Sequence, residues 1–306
     1  MISHTLIVNA GSSSLRSERV IRESEDQIHR ALPNCEIIYV YEPEELIPLS
    51  SHAAKTSSVV IACGGDGTAQ SVARGVYGSD AIMGLIPLGS GNDFAKSIGL
   101  KTNKPVEYYL NIIQQQQIIA VDVPIINDQI FINTAGIGFD GLTNYYASQS
   151  TFLKGEFKYT YAGLKSFLSA KKFELSGSFD EQMLSKKIWM VAVANGSTEG
   201  GKYLISPDSN NSDGILELVI VPGYSLLKLL TAFLWMSFGN SLGNRFSEVI
   251  RFKEGTFKLS KEQRIHLDGE VAESDSDFSV SIQNKNLSVI GIATDEQKLR
   301  NSRSVN

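Results

Sequence analysis

Two glycine-rich segments in the first third of the chain have the residue types of a phosphate-binding site. In VVIACGGDGTAQ, residues 59–70, a short apolar run ends in Gly64, Gly65, Asp66, Gly67 and Thr68. Glycine allows positive φ angles and a close approach of the backbone to a ligand. Free amides at a helix N-terminus favour an anion. We therefore expect a strand, a phosphate-binding loop and then a helix that Thr68 caps.

Asp66 indicates which kind of phosphate the site would bind. A carboxylate repels phosphate unless a divalent cation lies between them, and Mg²⁺ prefers such oxygen ligands. The loop is thus interpreted as a site for a nucleotide with Mg²⁺. An ordinary tight turn with a capping threonine is the alternative, because such turns are common.

A second segment, LIPLGSGNDFAKSIG at residues 85–99, repeats the pattern. Its apolar strand is followed by Gly89, Ser90, Gly91, Asn92 and Asp93. Ligands of parallel sheets bind outside the carboxyl ends of the strands, so the two segments are expected to line one cleft. Neither segment matches GxxxxGK[ST], so neither supplies a P-loop lysine.

The third candidate lies far downstream, in QRIHLDGE at residues 263–270. Asp268 and Glu270 follow a β-type run at a turn, and His266 is expected to be structural. A turn with two carboxylates is most often only a turn. The functional alternative is a base that accepts a hydroxyl proton during phosphoryl transfer. Asp268 is the preferred base, with Glu270 orienting the hydroxyl or a metal-bound water, and the reverse assignment stays open.

The bulk composition excludes several classes of protein. The chain has 306 residues, 42% of them hydrophobic, which is enough for about two domains. A net charge of −5, with no dominant basic stripe, argues against a nucleic-acid partner. Two cysteines, no signal-peptide pattern and no run of ~20 apolar residues lead us to expect a cytoplasmic protein.

The first third alternates apolar runs with helical stretches, which predicts a parallel sheet covered by helices. Strands are predicted at 5–11, 36–41, 57–65 and 81–89. Helices are predicted at 17–31, 68–78 and 91–98.

After QQQQIIAVDVP (114–124) strands follow one another, which predicts an antiparallel β-sandwich. They are predicted at 130–135, 172–179, 187–194, 214–221, 248–252, 255–259, 263–267, 277–282 and 287–292. We therefore expect an α/β nucleotide-binding domain at 1–122, a β-sandwich substrate domain at 123–293 and a polar tail at 294–306.

Two stretches of the second half could contact a membrane. Residues 150–172 carry, among aromatic residues, Lys154, Lys158, Lys165, Lys171 and Lys172. A helix predicted at 225–238 is apolar nearly all round and too short to span a bilayer. We expect it to be buried, with an interfacial helix as the alternative.

Taken together, GGDGT (64–68), PLGSGNDFA (87–95) and LDGE (267–270) resemble the diacylglycerol kinase catalytic-domain superfamily. The closest likeness is to the bacterial soluble lipid kinases, which include diacylglycerol kinases and YegS-like enzymes. VDVP at the domain boundary, FINTAGIGFD after it and SDGILELVIV (212–221) extend the likeness over nearly the whole chain.

The resemblance implies an N-terminal α/β domain, a C-terminal β-sandwich and an active site in the cleft between them. It implies an ATP-dependent lipid kinase that transfers the γ-phosphate to a hydroxyl of a diacylglycerol-like membrane lipid, with Mg²⁺ as a cofactor. A cytoplasmic protein would then contact the membrane reversibly and peripherally, and a homodimer is left open.

The resemblance also implies roles for individual residues. Gly64 to Thr68 would hold the nucleotide phosphates, with Asn9 and Ser90 beside them. Asp66 and Asp122 would organise the catalytic Mg²⁺.

Further positions of the family's pattern lie in the second half. Asp268 and Glu270 would be at the proton-transfer position. A second, structural Mg²⁺ would bind Asp213 and the backbone carbonyls of Asn210 and Ile215, and a solvated Asx turn is the alternative there.

Three features of the sequence depart from the family's pattern. Asn9 is followed by Ala10 rather than the usual proline, and Ser90 replaces the more usual threonine. Gln70 and Ser71 stand where the family commonly has Asn-Glu, which leaves open a catalytically weakened lipid-binding or regulatory member. NAD kinases share GGDGT and the two-domain plan, but this sequence has no Asn-Glu dipeptide, and that alternative is disfavoured.

Overall fold

The computed structural model describes residues 3–11, 15–150 and 156–292, without the side chains of residues 156–159. The chain divides into two compact units. The described residues through Asp122, together with those from Asn284 onward, form the first unit, and Val123–Gln283 forms the second.

The first unit alternates strands and helices, as the sequence predicts. Its strands before the crossing to the second unit are β1 (His4–Asn9), β2 (Cys35–Val40), β3 (Val59–Gly64), β4 (Ile82–Pro87) and β5 (Ile118–Val121). Its helices are α1 (Arg16–Arg22), α2 (Glu25–Ala31), α3 (Leu46–Thr56), α4 (Asp66–Val76), α5 (Asp93–Ser97) and α6 (Val106–Gln115), with a 3₁₀ turn at Pro43–Glu45. The single helix predicted at 17–31 is therefore two short helices.

Strand β3 shows why the apolar runs form a central sheet. All six of its residues are buried, and it pairs in parallel with β1 on one side and β4 on the other. A strand covered on both faces reads as a continuous apolar run. In the register of β3 and β4, Gly64 lies opposite Pro87, so the two glycine-rich segments leave the sheet side by side at its carboxyl edge.

The second unit is a β-sandwich with helices at one side. Its strands are β6 (Pro124–Ile126), β7 (Gln129–Ile130), β8 (Thr134–Gly138), β9 (Phe173–Phe179), β10 (Gln182–Ala194), β11 (Thr198–Glu199), β12 (Tyr203–Leu204), β13 (Leu216–Pro222), β14 (Glu248–Phe252), β15 (Glu254–Leu267) and β16 (Glu270–Ile282). Its helices are α7 (Phe139–Gln149), α8 (Glu156–Ser169), α9 (Leu226–Ser237) and α10 (Gly243–Phe246).

Two long strands organise this sandwich. One end of β10 pairs with β8 and the other with β9, and β15 pairs with the same two partners, all antiparallel. A core that includes Phe131, Phe173, Phe179 and Phe257 packs between the strands. The strands predicted at 255–259 and 263–267 are thus one strand. The strand predicted at 130–135 is wrong in its bounds, because the chain leaves β7 and re-enters the sheet only at Thr134.

The chain then returns to the first unit. Strand β17 (Leu287–Ile290) pairs in parallel with β4 and antiparallel with β5, which gives the first sheet the order β2-β1-β3-β4-β17-β5. Residues 284–292 were predicted to belong to the sandwich, and this assignment is wrong. A short apolar strand fits either sheet, so its own pattern cannot identify its partner.

Among the described residues, no helix combines the length and the apolar character needed to span a membrane.

Candidate functional site

The two glycine-rich loops of the first unit touch each other through bare backbone. A Cβ atom on Gly89 would lie 2.5 Å from the Cα of Gly65, and one on Gly65 would lie 3.3 Å from the Cα of Gly89. The sequence analysis explained these glycines by positive φ and by a close approach of the backbone to a ligand, but neither Gly65 nor Gly89 has a positive φ angle. The close approach of the two loops requires the missing side chains instead.

Asp66 joins the loops a second time. Its Oδ1 accepts a hydrogen bond from the backbone N–H of Phe94 at 3.2 Å, and the amides of Asn92 and Asp93 also stabilise the charged carboxylate. Burial and the nearby carboxylate of Asp93 nevertheless raise the pKa of Asp66 to about 6. The loop carboxylate therefore carries poorly compensated negative charge at the N-terminal end of α5.

The predicted cap of the following helix is wrong in detail. Helix α4 begins at Asp66, its N-cap is Gly65, and no side chain caps it. The hydroxyl of Thr68 is buried and instead accepts a hydrogen bond from the amide of Asn9 at 3.0 Å. Asn9 ends β1, so this bond joins the end of β1 to the start of α4 after β3, and the bond between Asp66 and Phe94 adds the end of β4. We call this edge of the sheet the loop corner.

Two residues of the second loop add to this corner. Asn92, with φ 54°, accepts from the N–H of Gly89 at 3.0 Å and donates to its carbonyl at 2.8 Å. The Asp93 carboxylate is buried and pairs with Lys96 at 3.1 Å. Ser90 is exposed on the same loop. The PLGSGNDFA motif contains Asn92 and Asp93, but the sequence analysis assigned neither residue a role in the site.

The structure does not bring Asp122 to this corner. β5 is antiparallel to its neighbour β17, so Asp122 leaves the sheet at the edge where β4 begins. Asp122 accepts a hydrogen bond from Asn286 at 2.9 Å, just before β17. Six residues of β4 at roughly 3.3 Å each separate the two edges. The prediction that Asp122 and Asp66 organise one metal ion is therefore not supported.

The oxygen donors at the loop corner fit Mg²⁺. Asp66 and Asp93 are carboxylates of neighbouring loops, and each raises the electrostatic cost of the other's charge. Lys96 compensates only one of them. A hard divalent cation is the ion that such a set favours.

In the second unit, the LDGE segment forms a two-residue hairpin turn between β15 and β16. Leu267 pairs with Glu270, and Asp268 and Gly269 have φ angles of 52° and 88°. Positive φ at both central residues is the geometry of a type I′ turn, which favours Asp-Gly. The turn was predicted, and its type could also have been read from this dipeptide.

Both carboxylate oxygens of Asp268 accept hydrogen bonds from backbone N–H groups. One oxygen accepts from the N–H of Asn133 at 2.8 Å and of Thr134 at 2.9 Å, and the other accepts from the N–H of Ile132 at 2.9 Å. Its own N–H donates to the carbonyl of Thr134 at 2.8 Å. Asp268 thus fixes the turn against residues 132–134 at the start of β8. The side chain of Glu270, in contrast, is exposed.

A buried His-Asp-Glu cluster lies directly beneath this turn. The Nε2 atom of His266 is 3.2 Å from Asp140 and 3.1 Å from Glu199, and its Nδ1 accepts from the N–H of Gly269 at 3.2 Å. Burial and the charge of Asp140 raise the pKa of Glu199. His266 was predicted to be structural, but Asp140 and Glu199 were not predicted to join it, because they come from distant parts of the chain.

The three side chains offer ligand atoms within 4.8 Å of one another, but the imidazole does not suit a metal. Burial lowers the pKa of His266, but the charges of Glu199 and Asp140 outweigh this effect and raise it, so Nε2 carries a proton that points at the two carboxylates. A metal on Nε2 would require that proton on Nδ1, facing another N–H. The cluster is therefore a hydrogen-bonded support for the turn.

The predicted structural metal site contains an arginine. Oδ2 of Asp213 lies 2.9 Å from Nη2 of Arg251, and Oδ1 accepts from the N–H of Ile215 at 3.0 Å. The carbonyl of Asn210 accepts from the N–H of Asp213 at 3.3 Å. These contacts correspond to the Asx-turn alternative, and a cation at Asp213 would have to replace the guanidinium of Arg251.

Comparison with known proteins agrees with this architecture. Residues 3–124 match the model of the diacylglycerol kinase catalytic domain, and residues 133–291 match that of the YegS C-terminal NAD kinase beta sandwich-like domain. The two matches define a kinase with an α/β domain and a β-sandwich domain. The chain belongs to the diacylglycerol kinase catalytic-domain superfamily, among the bacterial lipid kinases.

Individual relatives carry the same names. A diacylglycerol kinase of Bacillus subtilis (strain 168) is 26% identical over 232 residues, which cover 72% of this chain and 75% of the relative. A YegS-like lipid kinase of Pseudomonas fluorescens is 30% identical over 231 residues, which cover 71% and 72%.

Solved structures show the same fold. A diacylglycerol kinase from Bacillus anthracis str. Sterne superposes with a TM-score of 0.73 at 21% identity, covering 95% of this chain and 97% of the other. An NAD kinase from Archaeoglobus fulgidus in complex with ATP gives a TM-score of 0.51 at 12% identity, covering 98% and 97%.

Proposed function

We propose that this protein is an ATP-dependent kinase that transfers the γ-phosphate to a hydroxyl of a diacylglycerol-like membrane lipid. The observation that carries the proposal is the loop corner, where Asp66 and the paired glycines join two strand-to-helix turns. The amides at the start of α5 already donate to Asp66, so those at the start of α4 are the ones proposed to face an anion. The family membership supplies the lipid-kinase class, and the names of the relatives support the lipid as the acceptor.

The nucleotide is proposed to bind at this corner. The backbone of Gly64 to Thr68 and the exposed Ser90 would hold the phosphates, and Asn9 fixes the position of Thr68. Mg²⁺ would be held by Asp66 and Asp93 and would neutralise charge on the transferred phosphoryl group. In this proposal Asp93 takes the place that the family resemblance implied for Asp122.

Glu270 is the proposed general base. A lipid hydroxyl has a high pKa, so its proton must leave as the bond to phosphorus forms. Asp268 was the preferred base, but its two oxygens already accept three backbone hydrogen bonds. Glu270 follows on the same turn with an exposed carboxylate. Asp268 and His266 are proposed to fix the backbone from which Glu270 projects.

A lipid-panel assay tests the proposal. Purified protein is incubated with γ-labelled ATP, Mg²⁺ and detergent micelles that contain diacylglycerol, phosphatidylglycerol or a sphingoid base, with NAD as a separate acceptor. We expect labelled product with one of the lipids, dependent on Mg²⁺. Label in NAD alone would contradict the lipid acceptor. Failure to label any lipid, with ATP bound normally, would favour a catalytically weakened member.

A further inference from the structure

Helix α9 is apolar on two faces, and the fold buries only one of them. Leu229, Ala232, Phe233 and Met236 are buried and pack against the helical side of the sandwich. They follow the spacing of one helix face. The expectation of a fully buried helix is therefore wrong for the remaining surface.

The opposite face exposes large apolar side chains, with the exposed Thr231 between the first and the others. We call Leu227, Leu234, Trp235 and Phe238 the α9 stripe; they are 74%, 43%, 43% and 84% exposed. Spacings of seven, eight and eleven residues place them on one side of the helix. Leu164 and Leu168 of the adjacent helix α8 are also exposed, at 47% and 89%. Exposed apolar groups this close together indicate an interaction surface.

The segment that contains α9 and α10 carries only basic charged residues. Between Pro222 and Ser247 the sequence has only two charged residues, Lys228 and Arg245. The guanidinium of Arg245 lies 6.0 Å from the ring centroid of Trp235, and both basic residues are exposed. An apolar row that contains tryptophan and has two cations in its own segment complements an anionic lipid surface.

We propose that the α9 stripe inserts into the interfacial layer of a bilayer that contains anionic lipids, with Lys228 and Arg245 at the headgroups. This inference rests on the proposed function, in which the acceptor is a membrane lipid. Trp235 suits the boundary, since its large apolar ring is half-exposed and its N–H is already satisfied by the carbonyl of Ser241 at 3.0 Å. The surface differs from the lysine-rich segment first considered, of which Lys154 and the side chain of Lys158 lie outside the described residues.

Vesicle co-sedimentation of the full chain tests the inference. Vesicles of phosphatidylcholine alone are compared with vesicles that also contain phosphatidylglycerol. We expect the wild type to bind the anionic vesicles and to bind more weakly as salt is raised. The double variant Leu227→Gln/Phe238→Gln should bind at least about tenfold more weakly, because two exposed apolar side chains lose their contact with lipid.

Matched control variants test whether the effect depends on the position of the changed residue or only on the loss of an apolar or basic side chain. Met183→Gln removes an apolar side chain that is 81% exposed on β10 and should leave vesicle binding unchanged. Lys228→Gln should weaken binding by about fivefold, whereas Lys261→Gln, on the exposed part of β15, should not. Circular dichroism checks that each variant is folded.

Tryptophan fluorescence gives a direct readout of insertion. The chain has two tryptophans, and Trp189 is buried whereas Trp235 lies in the α9 stripe. On binding, emission should shift to the blue and brominated lipids should quench it. The double variant should lose both effects at the same vesicle concentration.

Several results would overturn the inference. The first is that the wild type binds neither kind of vesicle. The second is that the double variant binds as tightly as the wild type. The third is that binding is lost only when Lys154, Lys158 and Lys165 are changed to Gln. A wild-type dimer that ignores vesicles and becomes monomeric in the double variant would assign the stripe to a second copy of the chain. Lipid phosphorylation in micelles without vesicle binding would contradict this inference alone, and vesicle binding without phosphorylation would contradict the proposed function alone.

Discussion

The carboxylate of Asp66 accepts a hydrogen bond from the backbone N–H of Phe94 at 3.2 Å, across 28 residues of sequence. This bond connects the loop after β3 with the loop after β4. The central carboxylate of the GGDGT motif therefore has two tasks in our account. It holds the loops together, and its remaining charge is available to a cation.

Replacing Asp66 by Asn should separate its role in joining the loops from its role in binding a cation. Asp66→Asn keeps one oxygen that can accept from Phe94, while its NH₂ would face the amide of Asn92 or Asp93, so circular dichroism first checks that the variant is folded. It loses the charge that attracts Mg²⁺, and turnover at limiting Mg²⁺ should fall by at least about tenfold, as expected when a ligand charge is removed. Turnover is measured over a Mg²⁺ titration, with the exposed Asp80→Asn as the control. Wild-type turnover of Asp66→Asn at limiting Mg²⁺ would show that the loop has been misread.

The contact between Gly65 and Gly89 predicts unequal costs for two alanines. The Cβ of Gly89→Ala would lie 2.5 Å from backbone of the other loop, whereas that of Gly65→Ala would lie 3.3 Å from it. The first requires the loops to move apart, at a cost of about 1–3 kcal/mol, and should also weaken ATP binding. The second needs only a small adjustment. Chemical denaturation measures both, and equal stability of the two variants would argue against the loop contact.

Asp268 and Glu270 should differ in what they contribute. In Asp268→Asn the side-chain NH₂ replaces one oxygen and meets a backbone N–H, which leaves a donor without its acceptor. The free energy of unfolding should therefore fall by about 1–3 kcal/mol. Glu270→Gln should leave it unchanged, since that side chain is exposed. If Asp268→Asn were as stable as the wild type, its three backbone contacts would not be the reason for its presence.

The buried Glu199 should make stability depend on pH. Its pKa is raised by burial and by Asp140, so above its ordinary value of 4.5 the folded chain retains a proton that the unfolded chain has released. Stability from this group is therefore complete below about pH 4.5 and decreases as pH rises through the folded-state pKa. Glu199→Gln cannot ionise, so the difference in unfolding free energy between variant and wild type should grow with pH. A difference that is constant from pH 4 to 8 would contradict a raised pKa.

The sequence predicted the elements whose pattern is local. The runs around Val59–Gly64 and Ile82–Pro87 are continuous apolar strands that end in glycine, and both were placed within a few residues. The LDGE turn was placed as well. These features follow from the burial and the backbone preferences of residues that are adjacent in the chain, and both can be predicted from the local sequence.

The remainder depends on partners that lie far apart in the chain. β17 has the pattern of any short buried strand, so its return to the first sheet was not predicted. Asp268 appeared available for catalysis because its three donors, at residues 132–134, are more than 130 positions away. Asp122 was grouped with Asp66 by family resemblance, and the antiparallel direction of β5 that separates them is not visible in its sequence.

The most direct test of the central claim compares kcat for Glu270→Gln and Glu273→Gln with a lipid acceptor in detergent micelles. Both carboxylates are exposed on β16, but only Glu270 lies at the turn that Asp268 and His266 hold. We predict that Glu270→Gln lowers kcat by about 10²–10⁴, the usual effect of losing a general base, with ATP affinity unchanged. Glu273→Gln should stay within a few-fold of the wild type. A kcat for Glu270→Gln close to the wild-type value would contradict the account and place the base elsewhere.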